Sequence, residues 1–358
     1  MRKCTKVSGL SVYRAFVIVV AVGLAMWVLP WLYSLLIPVE KGDSFVYYSP
    51  IVDDFITRDD GAFVDGAGRT YSTYEADSIL PYFFYRQLLS DGRLPDSLFG
   101  EALDSKVLRR EQFTFKTSPA QLNKPRVALY ELLDSESGRV DLQLPDDAFR
   151  LTSDGLEFVK AVDNEVDKEK SAMFTSVLKA HGFVFPVRLL WGNPSVRKAY
   201  DNGYLMTDAE GKLFQLQMVK GSPKVHNIPL PQGVELIALF VTEFDNKRNL
   251  GFVVDSAYRM YVVDRATLSL RMLEIPAYDP QQMQILMMGN MHDWTVRIYT
   301  ATDTRYYALD AKDYSLIKER VIPDASPSGW EKAGRYMFPI RVSLTSWRSP
   351  TIFPRVND

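Results

Sequence analysis

Residues 15–39 read AFVIVVAVGLAMWVLPWLYSLLIPV, an apolar run without one charged side chain. A run of about 25 residues rises roughly 37 Å as an α-helix, more than the roughly 30 Å hydrocarbon core of a bilayer. It therefore predicts a transmembrane helix over 15–39, and the rest of the chain becomes what that helix carries. A cleavable signal peptide competes with a retained signal anchor, because Arg2, Lys3, Lys6 and Arg14 form a basic n-region and Ala21-Val22-Gly23 offers a small-residue cleavage site. The uncharged run continues for sixteen residues beyond Gly23, too far for an ordinary h-region, which favours the anchor.

The flanks orient the span. Four basic and no acidic residues precede it, whereas Glu40, Lys41 and Asp43 follow it, so residues 1–14 are expected as a cytoplasmic tail and everything after 39 outside. Trp27, Trp31 and Tyr33 gather toward the far end, where an aromatic membrane-interface belt belongs, and Pro30 and Pro38 are placed to kink or end the helix. The expected location is the inner (cytoplasmic) membrane, single-pass, with an extracytoplasmic (periplasmic) C-terminal domain. The bilayer is then the first partner, contacted through residues 15–39.

Composition narrows the rest. A net charge of -2 and a pI near 6.0 leave no basic excess to neutralise phosphate backbones, which argues against nucleic-acid binding. A mean hydropathy of -0.11, with no second long apolar run, argues for one span. The only cysteine, Cys4, precedes the span, so the outer part has no thiol for a disulfide or a nucleophile, and Cys4 is not placed as a lipoprotein acceptor.

Residues 40–125 read as a membrane-proximal α+β segment. Phe45 to Tyr48 is strand-like. Asp53, Asp54, Asp59 and Asp60 lack the spacing of a calcium loop and read as turn carboxylates. FVDGAGRTYS, residues 63–72, reads as a hairpin. Ser72 and Glu75 stand at capping-box spacing before a helix that reaches Leu89, with Ile79, Tyr82, Phe83, Arg86 and Leu89 on one face.

From Arg126 to residue 358 strand signals dominate. RVALYELL (126–133), RVDLQL (139–144), FRLT (149–152) and LEFVKAV (156–162) are short β-prone runs, and Asp163 to Ser171 reads as a polar insertion. Ile-Pro then recurs at 228, 275 and 322, a constant step of 47 residues. A second landmark, basic-apolar-aromatic, recurs as Lys212-Leu213-Phe214, Arg259-Met260-Tyr261 and Arg305-Tyr306-Tyr307. Each unit holds four short strands, the composition of a β-propeller blade. Arg126 to Gly182 would be a degenerate fourth unit, and Tyr336 to Phe353 together with Phe45 to Phe55 would add a blade or close the ring. The expected fold is mainly β: one N-terminal transmembrane helix, a small α/β segment, then a propeller-like repeat domain over 126–358. A twisted β-sandwich or an open β array is the alternative.

The segment SILPYFFYRQLLSDGRLPDSLFG, residues 78–100, following YYSPIVDDF and FVDGAGRTYS, resembles an uncharacterised bacterial family of single-span envelope proteins with an extracytoplasmic domain of unknown function. That resemblance implies an association with ABC-transporter components. It carries no catalytic residues. The repeat half resembles generic, divergent propellers and lacks the sharper blade motifs.

Chemistry is sparse. His181, His226 and His292 have no metal-ligand spacing, and hydrolase-elbow, P-loop and dinucleotide motifs are missing, so no catalytic, metal or cofactor site is expected. Two loops share Gly-Asn between a first and a second strand: Trp191-Gly192-Asn193-Pro194 and Gly289-Asn290-Met291-His292-Asp293-Trp294. Indoles beside Asn and Asp could hold a glycan or peptide, which makes Trp191, Asn193, Asn290, His292, Asp293 and Trp294 the candidate ligand-loop residues. Simple turns with tryptophans packed between sheets are the competing account. Met283, Met287, Met288 and Met291 fit core filling. The expected function is a membrane-anchored scaffold, sensor or binding protein with a membrane or envelope protein partner, plausibly an accessory subunit of a transporter complex. An anchored enzyme acting on glycan or peptide is the alternative, and it would need two carboxylates about 5–10 Å apart, one of raised pKa.

Overall fold

A computed structural model describes residues 9–37, 45–59, 61–300, 302–323, 328–343, 346, 348–351 and 353–356. The apolar run folds as one helix, α1, over Gly9–Leu36. It starts earlier than residue 15 because nothing in 9–14 opposes helix. It stops at Leu36, where Pro38 disfavours helical backbone in the residue before it. Pro30 lies inside it, and none of its residues is buried. Trp27 and Trp31 are exposed, while Tyr33 is partly covered.

The next segment is a four-stranded antiparallel meander in chain order: β1 (Phe45–Ser49), β2 (Asp54–Asp59), β3 (Ala62–Val64) and β4 (Thr70–Tyr71). The expected hairpin over 63–72 is its β3–β4 corner. The aspartates are structural: Tyr48 Oη donates to Asp53 and Gly66 N to Asp54, while Asp60 lies outside the described residues. The Ser72–Glu75 capping box forms at the start of α2 (Thr73–Ile79). That helix stops at Leu80, because Pro81 lacks an N–H and clashes with a helical predecessor; α3 (Pro81–Ser90) restarts in a new phase. The single apolar face expected across both helices is therefore broken. Tyr82, Tyr85 and Leu88 are buried, whereas Arg86 and Leu89 face solvent. A short hairpin, β5 (Ser97–Leu98) and β6 (Glu101–Ala102), then leads through α4 (Ser105–Glu111), β7 (Phe113–Thr117) and α5 (Pro119–Leu122).

The strands expected at 126–133 and 139–144 do not form. The first makes only a bridge from Tyr130 to Phe149 and buries Leu132 and Leu133; the second leaves Val140 fully exposed. β8 (Asp147–Leu151), β9 (Leu156–Lys160) and β10 (Val166–Asp167) make a three-stranded sheet. The expected polar insertion, Asp163 to Ser171, is instead a turn, β10 and the first turn of α6 (Lys168–Ala180). Asp167 caps it by accepting from Lys170 N at 2.9 Å, and Ser171, Phe174 and Leu178 fall on one buried stripe.

The three repeat units fold alike, as four-stranded antiparallel meanders. They are β11 (Leu189–Gly192), β12 (Tyr204–Thr207), β13 (Leu213–Val219) and β14 (Ser222–Ile228); β15 (Leu236–Val241), β16 (Asn249–Asp255), β17 (Met260–Asp264) and β18 (Leu270–Met272); and β19 (Gln284–Gly289), β20 (Asp293–Tyr299), β21 (Asp303–Asp310) and β22 (Leu316–Pro323). The last gains β7 as a fifth strand against β19. A shared device holds the hairpin between second and third strands. Asp208 Oδ1 accepts from Glu210 N and Lys212 N, and Asp255 Oδ1 accepts from Ala257 N and Arg259 N. The β3–β4 corner repeats it: Asp65 accepts from Ala67 N, Arg69 N and Tyr71 Oη, as Asp255 does from Ala257 N, Arg259 N and Tyr261 Oη.

The sheets stack in series. One core joins α6 and the β8–β10 sheet to β12 and β13; the next joins that unit to β15–β17; a third joins β15–β17 to β7 and β19–β21. Val46, Tyr48 and Phe55 of the N-terminal sheet then pack on Tyr306 and Ala308 of β21. The result is an arc of five small sheets in a mainly β protein. Among the described residues no core cluster joins its two end sheets. Phe113 and Phe115 of β7 sit in the core of the repeat sheets, so this strand shares one interior with β15–β17 and β19–β21. Among the described residues the blade expected from Tyr336–Phe353 with Phe45–Phe55 does not form; residues 344, 345, 347 and 352 lie outside them. Phe45 to Phe55 lies in β1 and β2, while α7 (Gly329–Met337), β23 (Ile340–Ser343) and β24 (Phe353–Val356) stand apart, with β23 beside α1.

Candidate functional site

The first strands β11 and β15 run side by side, and with β7 they border a cleft of about 490 Å³. One wall is β7 with the turn after α5; the other is Trp191-Gly192-Asn193 at the end of β11 and Phe240 to Phe244 at the end of β15. Trp191 meets Phe240 edge-on at 5.5 Å, and the Arg126 guanidinium lies 4.2 Å above its ring centroid. The indole is thus held between a core ring and a cation, a cation–π contact with one side open to the cleft. Lys116, Lys124 and Arg126 are exposed on the rim and have no carboxylate partner among the described residues. They give the cleft a positive edge in a protein whose net charge is slightly negative.

The fourth cation, Lys198, is different. Its Nζ lies 2.5 Å from Asp201 Oδ1 and 2.5 Å from Glu243 Oε1, and all three side chains are nearly buried. Glu243 Oε1 also accepts from Asn202 N at 2.9 Å, and its Oε2 accepts from Asn193 Nδ2 at 2.8 Å. Burial pushes the Glu243 carboxyl up, opposed by the Lys198 ammonium and the Asn202 amide. Asn193 is therefore fixed against the next sheet by a charged cluster that local sequence could not reveal, since Lys198 meets Glu243 only through the fold. Thr117 and Thr242, both buried cleft residues, have hydroxyls without a hydrogen-bond partner.

The second Gly-Asn loop has a different setting. Asn290 Oδ1 accepts from His292 N at 2.7 Å and Asp293 N at 2.9 Å, which closes the turn. His292 is sandwiched between Tyr82 of α3 (5.3 Å, 5°) and Phe99 of the β5–β6 corner (4.8 Å, 15°), with Nδ1 3.9 Å from Glu101 Oε2. Burial pushes its pKa down, with Glu101 opposing. Trp294 packs edge-on against Phe113 at 4.9 Å. Asp293 is wholly buried, and neither carboxylate oxygen meets hydrogen-bond geometry with a partner; burial pushes its pKa up to about 7, moderated by the nearby Asn290 amide. Of the six candidate residues, Trp191 and Asn193 reach the cleft, while Asn290, His292, Asp293 and Trp294 lie under α3 and β7. Among the described residues no group of three or more His, Cys, Asp or Glu side chains is gathered to hold a metal.

The profile of a domain of unknown function, DUF4857, matches residues 45–309, from β1 into β21. The chain belongs to the DUF4857 family. The matched region of this DUF4857 protein includes both walls of the cleft and the N-terminal sheet, and leaves α1 and α7 outside it. No curated protein matches the chain. Among solved structures it is similar to one titled "Structure of Dos1 propeller", at a TM-score of 0.28 and 10% identity, over 49% of this chain and 44% of that one. The chain thus spans under half the length of that structure.

Proposed function

We propose that this DUF4857 protein is a membrane-anchored binding or scaffolding protein whose β domain stands on the extracytoplasmic side of the inner membrane. The observation that carries it is α1: 28 residues, about 42 Å of helix, apolar on every side and with none buried against the protein. Such a surface needs lipid around it. The arc of meanders, with β11 beside β15, is consistent with a divergent propeller, and the cleft at the ends of those two strands is its ligand face. A rim of Lys116, Lys124 and Arg126 around the half-covered Trp191 suits an anionic group, a carboxylate or phosphate, carried by a partner protein or an envelope polymer. Membership of a transporter complex rests on the family resemblance. Co-purification and cross-linking from native membranes test it: a stoichiometric membrane partner is expected, and its recovery should fall with Lys124→Glu plus Arg126→Glu. Recovery of the protein alone refutes the complex.

Glu243 gives the enzyme alternative one foothold, since it borders the cleft, its carboxyl is raised, and Asp201 binds the same Lys198 Nζ. The occupied oxygens argue the other way, because each Glu243 oxygen already accepts a bond from Lys198, Asn202 or Asn193. Hydrolysis of envelope glycan or peptide by the purified protein, abolished in Glu243→Gln, would reinstate the enzyme.

A further inference from the structure

The helix α7 has no core of its own. Ser328 and Glu331 form a capping box at its start, with Ser328 Oγ accepting from Glu331 N at 3.2 Å and Glu331 Oε2 accepting from Ser328 N at 2.8 Å. At 100° per residue, Trp330, Ala333, Gly334 and Met337 share one side, Glu331 and Arg335 share the other, and Lys332 and Tyr336 lie next to each other along one flank. None of its residues is buried: Trp330 is 66% exposed, Tyr336 89% and Met337 52%. A nine-residue helix with two glycines is too short to be stable in water by propensity alone, so its apolar side implies a second surface.

Its position identifies that surface. Tyr33, in the last turn of α1, donates its hydroxyl to Trp330 O at 2.7 Å and meets Phe338 edge-on at 5.8 Å. Gly334 lies so close that a Cβ there would stand 2.5 Å from the Tyr33 ring. The apolar side of α7 therefore begins where it touches the end of α1, at the level where a membrane helix leaves the hydrocarbon. We propose that α7 is a second membrane contact, lying in the interface of the leaflet from which α1 emerges, with Trp330 and Met337 among acyl chains and Glu331 and Arg335 toward the headgroups. The inference rests on α1 being a membrane anchor. Two attachment points at one height would fix the tilt of the β domain, which a single helix would leave free to swivel.

The test uses the full chain with Cys4→Ser, reconstituted in phosphatidylcholine vesicles, and carrying an environment-sensitive fluorophore on Met337→Cys or Arg335→Cys, which lie about 160° apart around the helix. The expected result is a blue-shifted probe at 337 that loses most of its emission with brominated acyl chains, against an unshifted, unquenched probe at 335. Equal, water-like emission at both positions overturns the inference, as does a blue-shifted probe at 337 that brominated lipid leaves unquenched, since α7 would then be packed on protein. Flotation separates the two layers. A chain that fails to float with vesicles refutes the anchor and this inference together, whereas one that floats with an unquenched 337 refutes only the second contact. Trp330→Glu with Met337→Glu gives an independent check: flotation through α1 is kept, and protease cleavage on the α7 segment increases; unchanged cleavage counts against the proposal.

Discussion

The backbone N–H of Tyr48 donates to Thr295 Oγ1 at 3.1 Å, a buried hydrogen bond between residues 247 positions apart in the chain. It joins β1 of the N-terminal sheet to β20 of the last repeat unit. Beside it, Phe55 packs on Tyr306, so the sheet nearest α1 in sequence lies beside the last repeat sheet in space. The arc is thus built by chain ends meeting, and its integrity depends on a few side chains at that seam.

Phe55 is fully buried between Tyr48 and Tyr306. Phe55→Ala should cost about 3–5 kcal/mol, the range for deleting a buried aromatic ring. Limited proteolysis should then cut first at the seam between β2 and β21, before cutting β11–β14. Uniform cleavage across all sheets would show that the N-terminal sheet is not a separate closing element.

Lys198 stands between two buried carboxylates. Lys198→Met keeps the aliphatic volume and leaves Asp201 and Glu243 uncompensated, with an expected loss of about 3–5 kcal/mol near neutral pH. Adding Glu243→Gln should recover part of that loss, because it removes one of the stranded charges. Urea unfolding of the single and double variants measures both terms. A single variant as stable as the parent would mean the cluster is more hydrated than its burial indicates.

Gly289 ends β19 against the ring of Phe113 on β7, where a Cβ would lie 2.1 Å from the ring edge. Phe113 cannot easily yield, since it stacks on Phe244 at 4.3 Å and meets Trp294 at 4.9 Å. Gly289→Ala should therefore cost about 1–3 kcal/mol through overpacking. The accompanying sign is loss of hydrogen-exchange protection along β7 before the loss along β20–β22.

The three later meanders were legible because each pairs strands adjacent in sequence, with an Asp at the second hairpin and an aromatic on the third strand. The N-terminal unit carried the same letters. Asp65-x-Ala67-x-Arg69-x-Tyr71 matches Asp255-x-Ala257-x-Arg259-x-Tyr261, 190 residues on and close to four 47-residue steps. A search for adjacent repeats passes over it because the intervening units are irregular. Elsewhere the decisive contacts are distant. Nothing around Phe113 indicates that β7 will pair with Gln284–Gly289, and nothing around Lys198 announces Glu243. The apolar content of 126–144 suggested strands, but the segment meets the edge of β8 only at the Tyr130–Phe149 bridge, and the rest of its backbone stays irregular. Local pattern also failed at Leu80-Pro81, where one residue without an N–H resets the helical phase and decides that Tyr85, not Arg86, points inward.

Asp293 supplies a pH dependence with a definite sign. Burial raises its carboxyl from 3.8 to about 7 in the folded protein, with the nearby Asn290 amide opposing the shift. Between those values the folded state holds a proton that the unfolded chain releases, so this group favours folding at low pH. That contribution is complete below about pH 4 and is lost as pH rises toward about 7, an effect of up to about 4 kcal/mol at ~1.4 kcal/mol per pKa unit. His292, next in sequence and pushed down by burial, works in the opposite direction, because its folded form sheds a proton that the unfolded form keeps. Comparing the parent with Asp293→Asn cancels the histidine. The variant should lose the decline between about pH 4 and pH 7 and be the more stable protein near pH 8, where the parent must carry a buried charge. Urea midpoints measured across that range decide it. Parallel curves for parent and variant would mean that Asp293 stays ionised throughout, held by water bonded to the oxygens that lack protein partners.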